Sequence, residues 1–338
     1  QFIKPLAFLS WFASASFLKG DPDRNVPYYP HCLHQDEDTT LELDFLLGGH
    51  EHRYRLVFKD ERLIFEGLYV KTSSKFSYLF ERKKQGDIFS FKEKGFPFPT
   101  SKAETLRANA SLLSAAHSYD IAQARPFIEY FRHMVSNVAQ MGRQHFRSEA
   151  LFHAAEAFEK SIALKTRMVQ VMSEFDLGLA DVEIRPLEVT KSDGATETMH
   201  MAFGLHQSTD GKNFSLPFIE ESSGTQSAFV LIERLLTVLE NGGCAVIDEI
   251  DNDLHPFLIP KILDWFRFEH SNPHQAQLIF TCHTPEVLNR LQKHQVYLCE
   301  KQQQYSEAWR LDEVAGIRAD DNLYAKYMAG ALGAVPDV

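Results

Sequence analysis

Apolar and polar positions follow three rhythms along this chain, and each rhythm predicts its own kind of element. At the start, Phe2, Ile3, Leu6, Leu9 and Phe12 recur at helical spacing, which predicts a helix with one buried face. Residues 20–45 are broken by Gly20, Pro22, Pro27 and Pro30 and carry the acidic run Asp36-Glu37-Asp38, so they read as loop. From 40 to 93 the period falls to two. Leu41, Leu43 and Phe45, then Tyr54, Leu56 and Phe58 after a Gly48-Gly49 turn, then Phe76, Tyr78 and Phe80, then Ile88, Phe89 and Phe91 after Gln85-Gly86-Asp87, predict an antiparallel β-meander. Helical spacing returns over 101–176, with predicted helices at 101–117, 124–141 and 148–175; Leu151, Ala154, Ala157, Phe158 and Ile162 mark the last.

The third rhythm is a set of short apolar runs without period. Strands are predicted at 182–184 and 199–205, on either side of a polar turn at 191–195, and an apolar helix at 228–239. Cys244, Ala245, Val246 and Ile247 follow the breaker Asn241-Gly242-Gly243 and read as a strand buried on both faces, as in the middle of a parallel sheet. A second such strand starts at Gln277. After it come a short helix from Pro285, strands at 295–300 and 308–311, a helix at 323–328 and a small apolar tail at 330–336 that suits a docked terminus. The fold class is therefore α/β: a central, mostly parallel sheet, an antiparallel β-meander and a helical insertion or lid. The expected organisation is 1–100 as a first part with the opening helix and meander, 101–176 as the insertion, and 177–338 as a second part.

Composition narrows this only a little. The chain has 338 residues, 44% hydrophobic and 24% charged, enough to bury a large core. A formal charge of −11 argues against a broad nucleic-acid surface and leaves room for a local basic groove. Arg107, Arg125, Arg132, Arg143, Arg147, Lys160, Lys165 and Arg167 interleave in the helical region, either as a solvated face or as a docking surface for a partner or nucleic acid. Cys32, Cys244, Cys282 and Cys299 fall in no paired spacing, and the last three lie in apolar runs, which reads as reduced core residues. No apolar run reaches the length of a membrane span. His31, Cys32 and His34 match no usual zinc framework and read as a surface turn.

The chemistry concentrates after residue 220. Asp248 and Glu249 end the Cys244 strand, where parallel sheets place their ligands. Two adjacent acids there either cap the following helix or support a magnesium ion and activate a water. Upstream, Glu221-Ser222-Ser223-Gly224-Thr225-Gln226-Ser227 opens the apolar helix as a small-residue turn, with amide donors at a helix N-terminus suited to an anion. Downstream, Thr281-Cys282-His283-Thr284 ends the second strand in a histidine.

This order, anion turn and helix, strand ending Asp-Glu, helix, strand ending His, resembles the second half of an ABC-type ATPase of the RecF and SMC-like class. On that resemblance Ser223, Gly224, Thr225 and Gln226 stand at the signature motif, with Thr225 replacing a second glycine. Asp248 and Glu249 are the Walker B acids, Asp253 lies in the D-loop with Asn252, Leu254 and His255, and His283 is the switch histidine. The stretches QLIFTCHTPEVLNRLQKHQVYLCEK, YMAGALGAVPDV and RANASLLSAA resemble the ATPases of bacterial phage-defence and restriction-linked loci, including the ATPase component of PARIS-type systems. Retron and Septu ATPases share the pattern.

The resemblance implies ATP and Mg2+ as cofactors. It makes Asp248 the metal ligand, Glu249 and His283 catalytic, and Ser223, Gly224, Thr225, Gln226 and Asp253 nucleotide-binding. It also implies a cytoplasmic homo-oligomer that is a dimer or larger, with an effector protein encoded nearby, often a nuclease. No Gly-x-x-x-x-Gly-Lys-Ser/Thr loop occurs in the 338 residues, and the chain opens at Gln1 on a helix like the one that follows such a loop. The expectation is that a first strand and phosphate loop precede it; the alternative is a degenerate ATPase that binds no nucleotide. Two other functions stay open: a RecF/SMC-like DNA-repair ATPase that binds DNA when ATP is bound, and a scaffold in which nucleotide is structural.

Overall fold

The computed structural model describes residues 2–27, 30–139, 142–144, 148–175, 177–190, 194–208, 210–252 and 254–335. The chain is α/β and divides into two compact units. The first holds Gln1–Phe146, Thr237–Asp248 and Ala276–Ile279; the second holds Arg147–Leu236, Glu249–Gln275 and Phe280–Val338.

The first unit begins with α1 (Lys4–Lys19), which has Pro5 in its first turn, a position where a missing N–H costs nothing. Its buried face is Phe8, Leu9, Phe12, Ala13 and Ser16. Phe8 and Phe12 both meet Phe58 edge-on, at 5.5 and 5.4 Å between centroids, a favoured aromatic geometry. Phe58 belongs to a five-stranded antiparallel sheet in sequential order, β1 (Thr39–Leu47), β2 (His50–Lys59), β3 (Arg62–Lys71), β4 (Phe76–Gln85) and β5 (Ile88–Glu93). The other four strands show their alternation in the sequence; the middle one does not. In β3 the alternation is blurred, because Glu66 and Gly67 interrupt apolar residues that fall on both faces.

Glu66 is fully buried, and so is Arg82 of β4, its partner at 2.9 Å. One Glu66 oxygen also accepts from the hydroxyls of Tyr54 and Ser111, each at 2.8 Å, and the other from the amide of Leu112. Arg82 donates in turn to the carbonyl of Ala110 and lies over the Phe89 ring. A buried charge survives only when it is paired and hydrogen-bonded in this way.

Helices α2 (Thr100–Thr105), α3 (Leu112–Ser118) and α4 (Arg125–Arg132) complete this core. Ser111 caps α3 by accepting from the amides of Leu113 and Ser114. The stretch before α3 holds the end of α1. Arg107 donates to the carbonyls of Ser16, Phe17 and Gly20, and Asn109 to those of Asp21, Pro22 and Arg24. A cation there satisfies orphan carbonyls and suits the negative end of the helix dipole.

The expected helix at 124–141 ends at Arg132, so the region 101–176 is not all helical. Met134–Ser136 is instead a strand, β6, followed by the short pair β7 (Val138–Ala139) and β8 (Gly142–Arg143). Strand β6 pairs in parallel with β12 (Cys244–Ile247), Cys244 opposite Met134, and β13 (Gln277–Phe280) lies on the other side of β12. All four residues of β12 are buried, as its apolar run predicts. Gly243 has φ 109°, and a Cβ there would lie 2.4 Å from the carbonyl oxygen of His133. No other residue fits this approach, which lets the Cys244 N–H donate to that same carbonyl.

In the second unit α5 (Ser148–Lys160) and α6 (Ile162–Glu174) precede a three-stranded antiparallel sheet of order β11 (Asn213–Pro217), β10 (Thr196–Gln207) and β9 (Asp181–Thr190). α5 packs on β10, and its Phe158 meets Phe229 of α7 (Ser223–Asn241). α8 (Leu258–Arg267) sets Trp265 flat against Phe175. The hairpin β14 (Tyr297–Gln302) and β15 (Tyr305–Arg310) and the short helix α9 (Leu323–Met328) form a separate small core around Leu298, Leu311 and Leu323. Of the cysteines expected in the core, Cys244 is buried, Cys282 half-buried and Cys299 exposed; its strand is a solvent-facing hairpin.

Candidate functional site

The end of β12 is fixed from β6. Asn137 pairs with the backbone of Asp248 in both directions: its Nδ2 donates to the carbonyl at 2.9 Å, and its Oδ1 accepts from the amide at 2.7 Å. Ser136 Oγ donates to the carbonyl of Val246. A parallel strand of four residues would otherwise fray at this point; the amide side chain acts as one more rung of the ladder and leaves the Asp248 carboxylate half-buried. Asn137 gives no signal in the sequence, because the three-residue strand before it carries no period.

Glu249 leaves the strand abruptly, with φ 49°. That left-handed conformation costs a glutamate on the order of 1–3 kcal/mol and persists only where neighbours over-determine it. Here the neighbours are the residues after β13. The Glu249 amide donates to Thr281 Oγ1 at 2.7 Å, and the Ile250 amide to the Thr281 carbonyl at 3.0 Å. Asp251 reaches the same segment: its Oδ2 accepts from the His283 amide at 2.9 Å and from Thr284 Oγ1 at 2.8 Å. Burial pushes the Asp251 carboxyl up, but the Thr284 hydroxyl and His283 amide outweigh it and hold it below the usual range. Burial raises the Cys282 thiol to about 11, so at neutral pH it is not a nucleophile.

The result is a convergence of two side chains. His283 Nε2 lies 3.9 Å from Glu249 Oε1, with side chains 83% and 38% exposed. That separation is too long for a hydrogen bond. At that distance the two groups are near neighbours and not a bonded pair.

Ser223, Gly224, Thr225 and Gln226 are not in a turn before the helix. α7 starts at Ser223, so they form its first turn. Two of the four are engaged internally. Thr225 is buried and its amide and hydroxyl meet Ser222 Oγ, while Gln226 Nε2 donates to the carbonyls of Glu221 and Ile219. Ser223 is exposed, and a Cβ on Gly224 would meet nothing nearer than Ser222 Oγ at 3.9 Å, so a ligand can approach the backbone there. The first turn of α7 has no acidic residue to neutralise its positive end. Glu221, one residue before Ser222, accepts from His206 Nε2 at 2.7 Å, and His206 Nδ1 faces the carbonyl of Gly178.

Asp253 lies outside the described residues. Of its neighbours, Asn252 donates its amide to the Glu249 carbonyl and Leu254 is buried. Among the described residues no group of three or more His, Cys, Asp or Glu could hold a metal by itself. His34 pairs with Glu37, and His31 Nδ1 accepts the Leu33 amide within a turn. Asp248, a single carboxylate at a strand end, fits magnesium's habit of taking one or two carboxylates with the rest of its shell from phosphates and water. Several of the interleaved cations are already in use: Arg107 on α1, Lys160 on Glu156, Lys165 on Glu159 and Arg167 on the Ser271 carbonyl. No described helix is long and apolar enough to cross a membrane.

A family model described as "AAA domain, putative AbiEii toxin, Type IV TA system" (AAA_21) matches residues 2–289. The chain belongs to the AAA_21 family. The match spans α1, both strand ends, the first turn of α7 and His283 of this AAA_21 chain. No curated protein matches it. Among solved structures, the SMC head domain from Thermotoga maritima is similar at 10% identity, covering 78% of this chain and 74% of that one, with a TM-score of 0.33. The structure titled "Crystal structure of the SmcHead bound to the C-winged helix domain of ScpA" is similar at 12% identity over the same shares, with a TM-score of 0.36. At those scores neither carries an argument about this AAA_21 protein.

Proposed function

We propose that this AAA_21 chain binds and hydrolyses ATP, and that Glu249 is the general base. The observation that carries the reading is the approach of Glu249 and His283 to 3.9 Å on two loops hydrogen-bonded to each other, both side chains open to solvent. Asp248 would hold Mg2+, which supplies charge neutralisation at the phosphates. Glu249 takes the proton of the attacking water. His283 donates to the γ-phosphate and reports its presence. Ser223 and the open backbone at Gly224 meet the phosphate bound by a second copy of the chain, while Thr225 and Gln226 shape the turn that presents them. Asp253 would complete the contact between copies.

The wider role we infer is a sensor or scaffold that assembles through these nucleotide sites and controls a partner effector in anti-phage defence, a nuclease being the first candidate. The family's description, which names a toxin and a TA system, supports an effector-controlling role. The engagement of Arg107, Lys160, Lys165 and Arg167 within the protein weighs against the alternative, a DNA-repair ATPase with a basic face.

The test is ATP turnover by the purified full-length protein with Mg2+, beside Glu249→Gln and His283→Ala. The expected result is that Glu249→Gln abolishes turnover and accumulates ATP-bound oligomers visible by mass; equal turnover in that variant would overturn the assignment. For the wider role, the protein is purified with its neighbouring gene product and weighed with and without ATP. A partner released on a change of nucleotide state supports effector control. A lone dimer that grips DNA on adding ATP, with a steep salt dependence, puts the repair ATPase in its place.

A further inference from the structure

The His283 side chain is largely exposed and is not held by packing. His283 is 83% exposed, and Glu249 sits in a backbone conformation that a glutamate does not choose alone. The place of His283 is therefore set by its backbone, and the two loops are joined by four hydrogen bonds. Two run from the amides of Glu249 and Ile250 to Thr281. The other two end on a single atom, Oδ2 of Asp251, which takes the His283 amide and the Thr284 hydroxyl together.

We propose that Asp251 is the positioning residue of this site: by gripping His283 and Thr284 it makes the two loops one rigid body and fixes His283 against Glu249. The inference rests on the reading of that pair as the hydrolytic groups, and it assigns Asp251 a part that the order Asp248-Glu249 does not suggest. Three features of the geometry favour positioning over direct contact with metal or nucleotide. Oδ2 is fully occupied by protein donors. Oδ1 is closed off from solvent. The first donor is the main chain of the residue whose side chain must be aimed, so the grip acts on His283 without restricting its ring nitrogens.

The need is for an acceptor of the right length and not for a charge. Asparagine keeps the acceptor and removes the charge; alanine removes both. The experiment compares Asp251→Ala, Asp251→Asn and Thr284→Val in the full-length protein by amide hydrogen exchange over residues 281–290 and by steady-state ATP hydrolysis at varied Mg2+. For Asp251→Ala the expected result is exchange at the His283 amide faster by roughly 10-fold or more. Its kcat falls by about 10- to 100-fold with a much smaller change in KM, the pattern of misplaced rather than unbound reactants. Asp251→Asn stays within about 3-fold of the parent in exchange, kcat and the Mg2+ needed for half-maximal rate, as a kept hydrogen bond requires. If Asp251→Asn is as impaired as Asp251→Ala and needs more Mg2+, Asp251 acts through its charge on the metal, and the proposal is wrong.

If Asp251→Ala fails to fold, Thr284→Val, which deletes one donor only, decides. Faster exchange and a lower kcat support the grip, and parent-like values in both overturn it. The exchange measurement needs no nucleotide. A protein without any ATP turnover that still shows the expected exchange pattern keeps Asp251 as the link between the loops and refutes the hydrolytic reading instead.

Discussion

Glu66 and Asp251 each gather hydrogen bonds from a distant stretch of chain, yet they sit at opposite ends of the same physical scale. Glu66 is fully buried and saturated: an arginine, two hydroxyls and the amide of Leu112 fill its lone pairs. Asp251 is half-buried, uses one oxygen, and grips a loop whose histidine points to solvent. A sealed carboxylate can only stabilise, because anything that reached it would first have to break the core. A carboxylate at the rim of a polar loop can place groups that meet a ligand. The difference separates residues that hold the protein together from residues that would do its chemistry, although both are single acids within strand-rich sequence.

Glu66→Ala breaks the comparison at its structural end and has the largest effect. It leaves Arg82 buried without its partner, so stability to urea should fall by about 3–5 kcal/mol. A loss below about 1 kcal/mol would mean that the network is incidental. Glu249→Gln probes the other end. It should lower ATP turnover by about 100-fold or more with the unfolding midpoint unchanged, since general-base catalysis contributes at least that much. A large fall in stability would move Glu249 to the structural class. Asn137→Ala lies between the two, costing about 1–3 kcal/mol because the Asp248 amide and carbonyl each lose a partner.

The smallest effect is on pH. His52 is buried against Phe45 and Phe127, and burial lowers its pKa below the ordinary 6.5. The unfolded chain then binds the proton more readily than the folded one, so stability is full above pH 6.5 and declines as the pH falls below it. His52→Phe should flatten that decline in urea titrations at pH 7 and pH 5.5, leaving the acid limb to groups such as Asp44. The Asp44 carboxyl is held down by its hydrogen bond to Arg53, and its contribution is lost only as the pH falls through its lowered value, below 3.8.

The strand that carries Asp248 and Glu249 was legible in advance, and for a clear reason. A run of Cys, Ala, Val and Ile between Gly-Gly and Asp-Glu has few ways to fold other than a buried strand with two acids at its exit. The same holds for the alternating residues of β1, β2, β4 and β5 and for the helical spacing of α1. Besides β3 and Asn137, three things were not legible. The strand β6 looked like the tail of a helix, because Phe127, Ile128 and Phe131 carry the helical period up to its edge. Its three residues become a strand only by pairing with Cys244–Val246. Ser223–Gln226 read as a turn because small polar residues favour loops, yet the Ser222 cap and the buried Thr225 begin the helix there. Asp251 carries no signal of its own in the sequence.

What the sequence determined by itself is whatever depends on neighbours along the chain: the period of each element, the breakers between them, and the order of the small polar run, the acid pair and the histidine. Those follow from backbone geometry over a few residues, which composition controls directly. What only the tertiary structure decided is which polar groups meet: Glu66 with Arg82, Asn137 with Asp248, Asp251 with His283. The last two pairs join residues far apart in sequence, the first faces across a hairpin, and whether a charge is sealed, shared or left open depends on the low-dielectric surroundings that the whole fold builds around it.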